Sequence, residues 1–150
     1  MRIWIPPEDS DPTVLQEPNR KGISVFGAVG ISDGRLSTQI TDKYDTLTFM
    51  HFLEQVHKDF PDAVFILDNA KYHHSRLVTE FAKFLGIELL FLPPYSPDLN
   101  PIERVWKFVR KHATHNRYFQ LLEELRNALD EQFRIYHKEN EVLKKLCAVT

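Results

Sequence analysis

Cysteine is almost missing from this chain: Cys147 is the one thiol in 150 residues. An internal disulfide framework is therefore excluded, and a reducing cytoplasm is the natural compartment. Charge of one sign is also scarce in excess, since the net value is −2. No global positive field attracts nucleic acid, so any such surface must come from local clusters of Lys and Arg. No apolar run approaches the roughly 18–20 residues of a membrane span. The N-terminal stretch MRIWIPPEDSDP has an early proline pair and acids where a signal peptide needs an apolar core, so no leader is expected. Repeats and low-complexity tracts are absent too. What is present, 43% hydrophobic residues in a chain of this length, suits one globular domain with a real core.

The pattern along the chain is α/β. Residues 1–22, with Pro6, Pro7, Pro12 and Pro18, read as an irregular connector. Ile23–Val29 is rich in β-formers. The Asp33-Gly34 turn signal after it and the alternation of Arg35–Thr41 predict a hairpin. Asp45 is a candidate N-cap for a helix whose apolar stripe is Phe49, Phe52, Leu53, Val56 and Phe60, ended by Pro61. Ala63–Leu67 and Ile87–Leu92 are short continuous apolar runs, expected to be strands covered on both faces. Between them Ser75 can cap a helix with Leu77, Val78, Phe81 and Leu85 inward, closed by Gly86. That is a βαβ unit, which crosses over right-handed. Asn100 and Pro101 then open a helix with the stripe Ile102, Val105, Trp106, Val109. A last helical region spans 118–137, with Leu121, Leu122, Leu125, Leu129 and Phe133 inward. A short tail helix is expected over Glu141–Leu146. The domain reading is a connector at 1–22, one α/β domain at 23–137 and a helical tail at 138–150.

Two carboxylates stand out. Asp68 directly follows a buried strand, the end of an α/β sheet where ligands collect. Taken alone, Asp68-Asn69 simply starts a turn. Glu103 lies three residues past the Asn100 cap, where a capping-box carboxylate belongs, and four before Lys107, its candidate helix ion-pair partner. Together they invite another reading. The stiff run Pro93-Pro94-Tyr95-Ser96-Pro97 leaves the strand next to the one that ends at Asp68. It delivers the Glu103 helix to the same sheet edge. Hard cations such as Mg²⁺ take one or two carboxylates plus waters and phosphates, and paired ions about 3.5–4 Å apart serve both the attacking and the leaving oxygen.

These same blocks carry a family resemblance. Leu67-Asp68-Asn69-Ala70-Lys71-Tyr72-His73-His74-Ser75, followed by Leu92 through Trp106 (LPPYSPDLNPIERVW), resembles the catalytic domain of DDE-type transposases, in particular the bacterial insertion-sequence branch of the mariner-like superfamily. Thirty-four residues separate Asp68 from Glu103, as in that branch. The resemblance runs from about Val25 into the last helical region. It implies a ribonuclease-H-like mixed sheet flanked by helices and Mg²⁺ or Mn²⁺ as cofactor, with Asp68 and Glu103 as the second and third metal-bound acids. It also implies DNA cleavage by water, then strand transfer by a DNA 3′-hydroxyl, with transposon ends and target DNA as partners. The compartment it implies is the bacterial cytoplasm, at the nucleoid. A homo-oligomer is left open.

The pattern departs from the family at one point. The family's first Asp lies on the first, central strand, upstream of the tryptophan that Trp4 resembles, and only three residues precede Trp4 here. The first strand is therefore expected to be missing, Ile3-Trp4-Ile5 being too short to fill its place, and Asp9 and Asp11 in a proline-rich stretch are poor substitutes. The expectation is an N-terminally truncated chain, inactive alone unless an upstream-frame transposase product supplies strand and Asp. The rival is a non-catalytic remnant that binds DNA or an intact transposase. A general structure-selective nuclease of the same fold is a weaker third option.

Lys107, Arg110 and Lys111 share a helix side with Glu103, and Lys71 and His73 sit in the loop after Asp68. All five are candidate DNA contacts, since phosphates supply most non-specific affinity. The plainer reading of the helix charges is a solvated face. Adjacent His73 and His74, with no cysteine near, do not make a zinc site. Trp106 and Tyr95 can stack on bases, although Trp106 falls on the apolar stripe and fits the core better.

Overall fold

The structure, a computed structural model, describes residues 2–5, 14–16, 21–67, 75–93, 101–113 and 119–148. Its strands are β1 (Arg2–Ile5), β2 (Val14–Gln16), β3 (Lys21–Gly30), β4 (Leu36–Thr41), β5 (Val64–Leu67) and β6 (Glu88–Phe91). Its helices are α1 (Thr46–Asp59), α2 (Arg76–Leu85), α3 (Ile102–Ala113), α4 (Leu122–Ile135) and α5 (Glu141–Leu146). One mixed sheet runs in the order β2-β3-β1-β5-β6, with β4 on β3. The β3–β4 hairpin is antiparallel from Ser24↔Thr41 to Val29↔Leu36, and β5 and β6 are parallel across Val64↔Glu88 to Leu67↔Phe91.

The mixed α/β, ribonuclease-H-like class stands, with one correction. The central place expected to be empty holds β1, which is antiparallel to β3 (Ile3↔Gly30, Trp4↔Val29) and parallel to β5 over four pairs, Arg2↔Val64 to Ile5↔Leu67. Four residues suffice because β5 and β6 are themselves only four residues long, and Ile-Trp-Ile is a β-favouring run. The stretch read as an irregular connector thus contributes two strands, β1 and β2.

Strand alternation divides the core into two layers. Phe26 and Ala28 of β3, with Phe65 and Leu67 of β5, face α1 and α2, where Phe49, Phe52, Leu53, Val56, Val78 and Ala82 cover them. Val25 and Val29 of β3, with Ile66 of β5, face α3, α4 and α5. The result is helices on both faces of a sheet. The α1 helix starts with a reciprocal capping box between Asp45 and Thr48, and α2 ends at Gly86 in the left-handed conformation, φ 78°. A buried hydroxyl ties β4 to α1: Ser37 Oγ donates to Asp59 Oδ2 at 2.7 Å and accepts from Gln55 Nε2 at 3.1 Å.

Three local readings change. The strand read as covered on both faces, β6, is exposed at Leu90 and Phe91, because among the described residues it pairs on one side only. In α2 the buried positions are Val78 and Ala82, while Leu77 is 49% exposed. The last long helix begins at Leu122. Leu121 before it is exposed, and Phe119 enters the core instead. The expected tail helix, α5, is no appendage to the core, since Leu143 and Cys147 are fully buried with α3 and α4.

Candidate active site

The geometry is clearest around Glu103. Pro101 O accepts from the N–H groups of Arg104 (3.1 Å) and Val105 (3.4 Å), so helical bonding begins at Pro101 and Glu103 lies in the first turn of α3. The helix is fixed along one face by Ile102, Val105, Trp106, Val109 and Ala113, all buried in the core. Glu103 stands just off that stripe, half-buried, with its Oε1 shielded from solvent. Asn100, its expected cap, lies outside the described residues.

The other expected acid, Asp68, also lies outside the described residues, as do Lys71 and His73, Tyr95 and the alternatives Asp9 and Asp11. Their flanks are described. β5 ends at Leu67, whose carbonyl accepts from Leu92 N–H at 2.8 Å, so β6 is followed alongside β5 to its last residue. Ile66, Leu92 and Ile102 share one core cluster. Leu92 therefore lies beside the end of β5, and Ile66, Leu92 and Ile102 belong to the core layer on the α3 face.

The basic candidates on α3 divide by exposure. Lys107 and Lys111 are exposed and Arg110 is half-buried. Trp106 is fully buried, with its ring 6.3 Å from that of Phe133, edge to face, so it is core and cannot stack on bases. His112 is exposed and engaged with Phe108, its ring 4.0 Å from that of Phe108 and its Nδ1 2.9 Å from Phe108 O.

Two residues that pattern reasoning passed over shape this site. Gly27, in mid-strand β3, lies under Trp106. A β-carbon there would overlap Cη2 and Cζ2 of the indole. A glycine inside a strand pattern is the available signal for such a close approach. Arg104, next to Glu103, donates from Nε to Leu146 O and so ties the start of α3 to the end of α5. That contact spans 42 residues and leaves no mark in local sequence.

Carboxylate oxygen is the donor that a hard divalent ion takes, and the shielded oxygen of Glu103 fits one. Among the described residues no group of three or more His, Cys, Asp or Glu could hold a metal ion. Among those residues, too, no helix is long and apolar enough to cross a membrane.

Comparison with known proteins bears on the family and the fold. The family described as DDE superfamily endonuclease matches residues 2–126. The uncharacterized protein y4pE/y4sA of Sinorhizobium fredii (strain NBRC 101917 / NGR234) is 38% identical over 100 residues, 64% of this chain and 71% of that protein. The transposable element Tc3 transposase of Caenorhabditis elegans is 32% identical over 105 residues, 64% of this chain but only 32% of the transposase. In three dimensions the chain is similar to the Mos1 transposase catalytic domain solved with raltegravir and Mg, with a TM-score of 0.73, 19% identity, and 97% of this chain and 76% of that one covered. Against the Mos1 strand transfer complex the TM-score is 0.76 at 18% identity, covering 97% and 50%. At such identities the superpositions show the fold.

Proposed function

Because the chain belongs to the DDE superfamily of endonucleases, we propose that it acts in metal-dependent DNA cleavage and strand transfer, as part of a transposase, with Asp68 and Glu103 holding one divalent-metal centre. The observation that supports this is that Ile66, Leu92 and Ile102 belong to one core layer, the one that α3 covers. β5 ends at Leu67, the residue before Asp68 in sequence, where Leu92 N–H pairs with its carbonyl, and Glu103 is on the first turn of α3.

Mg²⁺ or Mn²⁺, when bound, supplies Lewis acidity and charge neutralisation at the scissile phosphodiester; the Mos1 catalytic domain was solved with each. Asp68 and Glu103 contribute anionic oxygens from two separate elements. The buried stripe of α3 keeps Glu103 from swinging into solvent. Lys107, Arg110 and Lys111, with Lys71 and His73 in the loop after Asp68, receive DNA phosphates as point charges. In cutting, a water oxygen attacks phosphorus and the 3′-oxygen leaves. In joining, that 3′-hydroxyl attacks a target phosphodiester, and the 3′-oxygen of the target strand leaves and takes up a proton. No bond to the protein forms. Transposon ends and target DNA are the proposed partners, by extension from the Mos1 strand transfer complex, and the bacterial nucleoid is the proposed site of action.

A second reading rests on β1. The central strand carries Arg2, Ile3, Trp4 and Ile5, none of them acidic. With one family acid lacking there, the chain alone is inactive. It then works either with a transposase product that supplies an acid-bearing strand or as a non-catalytic partner of an intact transposase. The test is Mn²⁺ titration by electron paramagnetic resonance together with nicking of transposon-end DNA, for the parent, Asp68→Ala and Glu103→Gln. Each substitution is expected to weaken Mn²⁺ binding at least tenfold. Unchanged binding in both removes the metal centre. Nicking that appears only when an upstream-extended product is added favours the first reading of β1; nicking that never appears favours the second.

A further inference from the structure

We infer that Gly27 and Trp106 form a positioning pair: the bare α-carbon of Gly27 lets the benzo ring of the indole reach β3, and this contact sets where Glu103 stands. The inference rests on the proposed role of Glu103. Glu103 and Trp106 are three residues apart, one helical turn, about 4.5 Å along the axis. The indole is fully buried, held against Phe133 on one side and β3 on the other. A β-carbon on Gly27 would overlap two atoms of the benzo ring, Cη2 and Cζ2. Neither is the free end of a flexible chain, so the added methyl has to be relieved by moving α3. Close-packed interiors transmit such strain.

The indole N–H adds a second observation. Trp106 Nε1 is buried without a hydrogen-bond partner, a desolvated donor that costs stability. A core selected only for apolar filling would favour Phe or Leu at this position. What tryptophan alone supplies is the reach of its second ring, which ends at Gly27. Shape at that contact therefore explains both the large ring and the absent side chain opposite it. Displacing a catalytic group by about 1 Å can cost on the order of 100-fold in rate, so the contact bears on metal binding and not only on packing.

The test uses the whole chain in four forms: parent, Gly27→Ala, Trp106→Phe and the double variant. Two readouts are taken, the ¹⁵N–¹H amide resonance of Glu103 and the Mn²⁺ dissociation constant, with Glu103→Gln as reference. Gly27→Ala is expected to shift the Glu103 amide and weaken Mn²⁺ at least tenfold. The double variant, in which the shorter ring leaves room for the methyl, is expected to recover the parent resonance and bind within about threefold of parent. A Gly27→Ala protein with an unmoved Glu103 amide, or a double variant no better than Gly27→Ala, overturns the inference. If instead the amide responds and recovers while Glu103→Gln binds Mn²⁺ like the parent, the positioning stands and the metal role of Glu103 falls.

Discussion

Ile5 and Leu67 stand level at the ends of two parallel strands, β1 and β5. A carboxylate introduced directly after Ile5 follows the last β1 residue in register with Leu67, the residue that precedes Asp68 in sequence. Pro6→Asp is expected to tighten Mn²⁺ binding about tenfold or more and to raise Mn²⁺-dependent nicking, while Pro6→Asn does neither. The added acid raises local negative charge, which a hard cation favours. If Pro6→Asp gains neither affinity nor nicking, the register of β1 does not lead into the catalytic centre.

The same strand shows where sequence reasoning stopped. The βαβ unit, the β3–β4 hairpin, the Asp45 and Ser75 caps and the stripe of α3 were legible because each rests on local periodicity or a capping side chain. The place of β1 was not, since three or four residues carry too little periodicity to announce a strand, and only the neighbours β3 and β5 define it. Exposure of Leu90 escaped notice because a run of apolar residues looks alike at a sheet's centre and at its edge. The place of Glu103 in the first turn of α3 was legible through the prolines that precede that helix. The pairing of Gly27 with Trp106 was not, being a contact across 79 positions of sequence.

The hairpin turn is latched to the C-terminal helix. Gly34 has φ 71°, and a β-carbon there would lie 2.5 Å from Lys144 N and 2.6 Å from Asn140 O. Asn140 donates from Nδ2 to Gly34 O at 2.9 Å, and its Oδ1 accepts from Leu143 N–H at 2.8 Å to cap α5. Gly86 has φ 78° but open space around it. Gly86→Ala should therefore cost only the left-handed backbone term, about 1–2 kcal/mol. Gly34→Ala should cost at least about 1 kcal/mol more, because backbone must move as well, and Asn140→Ala should cost about 1–2 kcal/mol through the lost cap. Urea unfolding of the three variants measures this. Equal costs for the two glycines would dissolve the latch.

Cys147 provides a pH prediction. Burial pushes its thiol up to about 11 from an ordinary 9.0, only partly opposed by the positive charge of Arg104. A thiol raised on folding is held protonated in the native state while the unfolded state ionises, so stability falls as pH rises between about 9 and about 11. Below pH 9 the effect is absent. Cys147→Ala removes the titration and should flatten that part of the stability curve, though it loses some packing at every pH. In the native protein at pH 8 the thiol should react with an alkylating reagent at least tenfold more slowly than in urea. Equal rates would mean that α5 does not hold it in the core.

Lys107 and Lys111 are exposed, four residues apart on α3, one turn and two turns beyond Glu103. If DNA crosses this face, each contributes by releasing counterions, not by reading sequence. Replacing either with alanine should reduce the slope of log K against log salt by about 1, with similar losses on end and non-end DNA. The comparison is Lys58→Ala, on α1 across the sheet, where the ammonium already faces Glu54 at 3.7 Å. That substitution should leave the slope unchanged. Anisotropy titrations between about 50 and 200 mM salt cover the range in which the slope is resolved. A slope lowered equally by Lys58→Ala would point to diffuse charge, whereas a drop confined to Lys107 and Lys111 puts the phosphate path along the helix that carries Glu103.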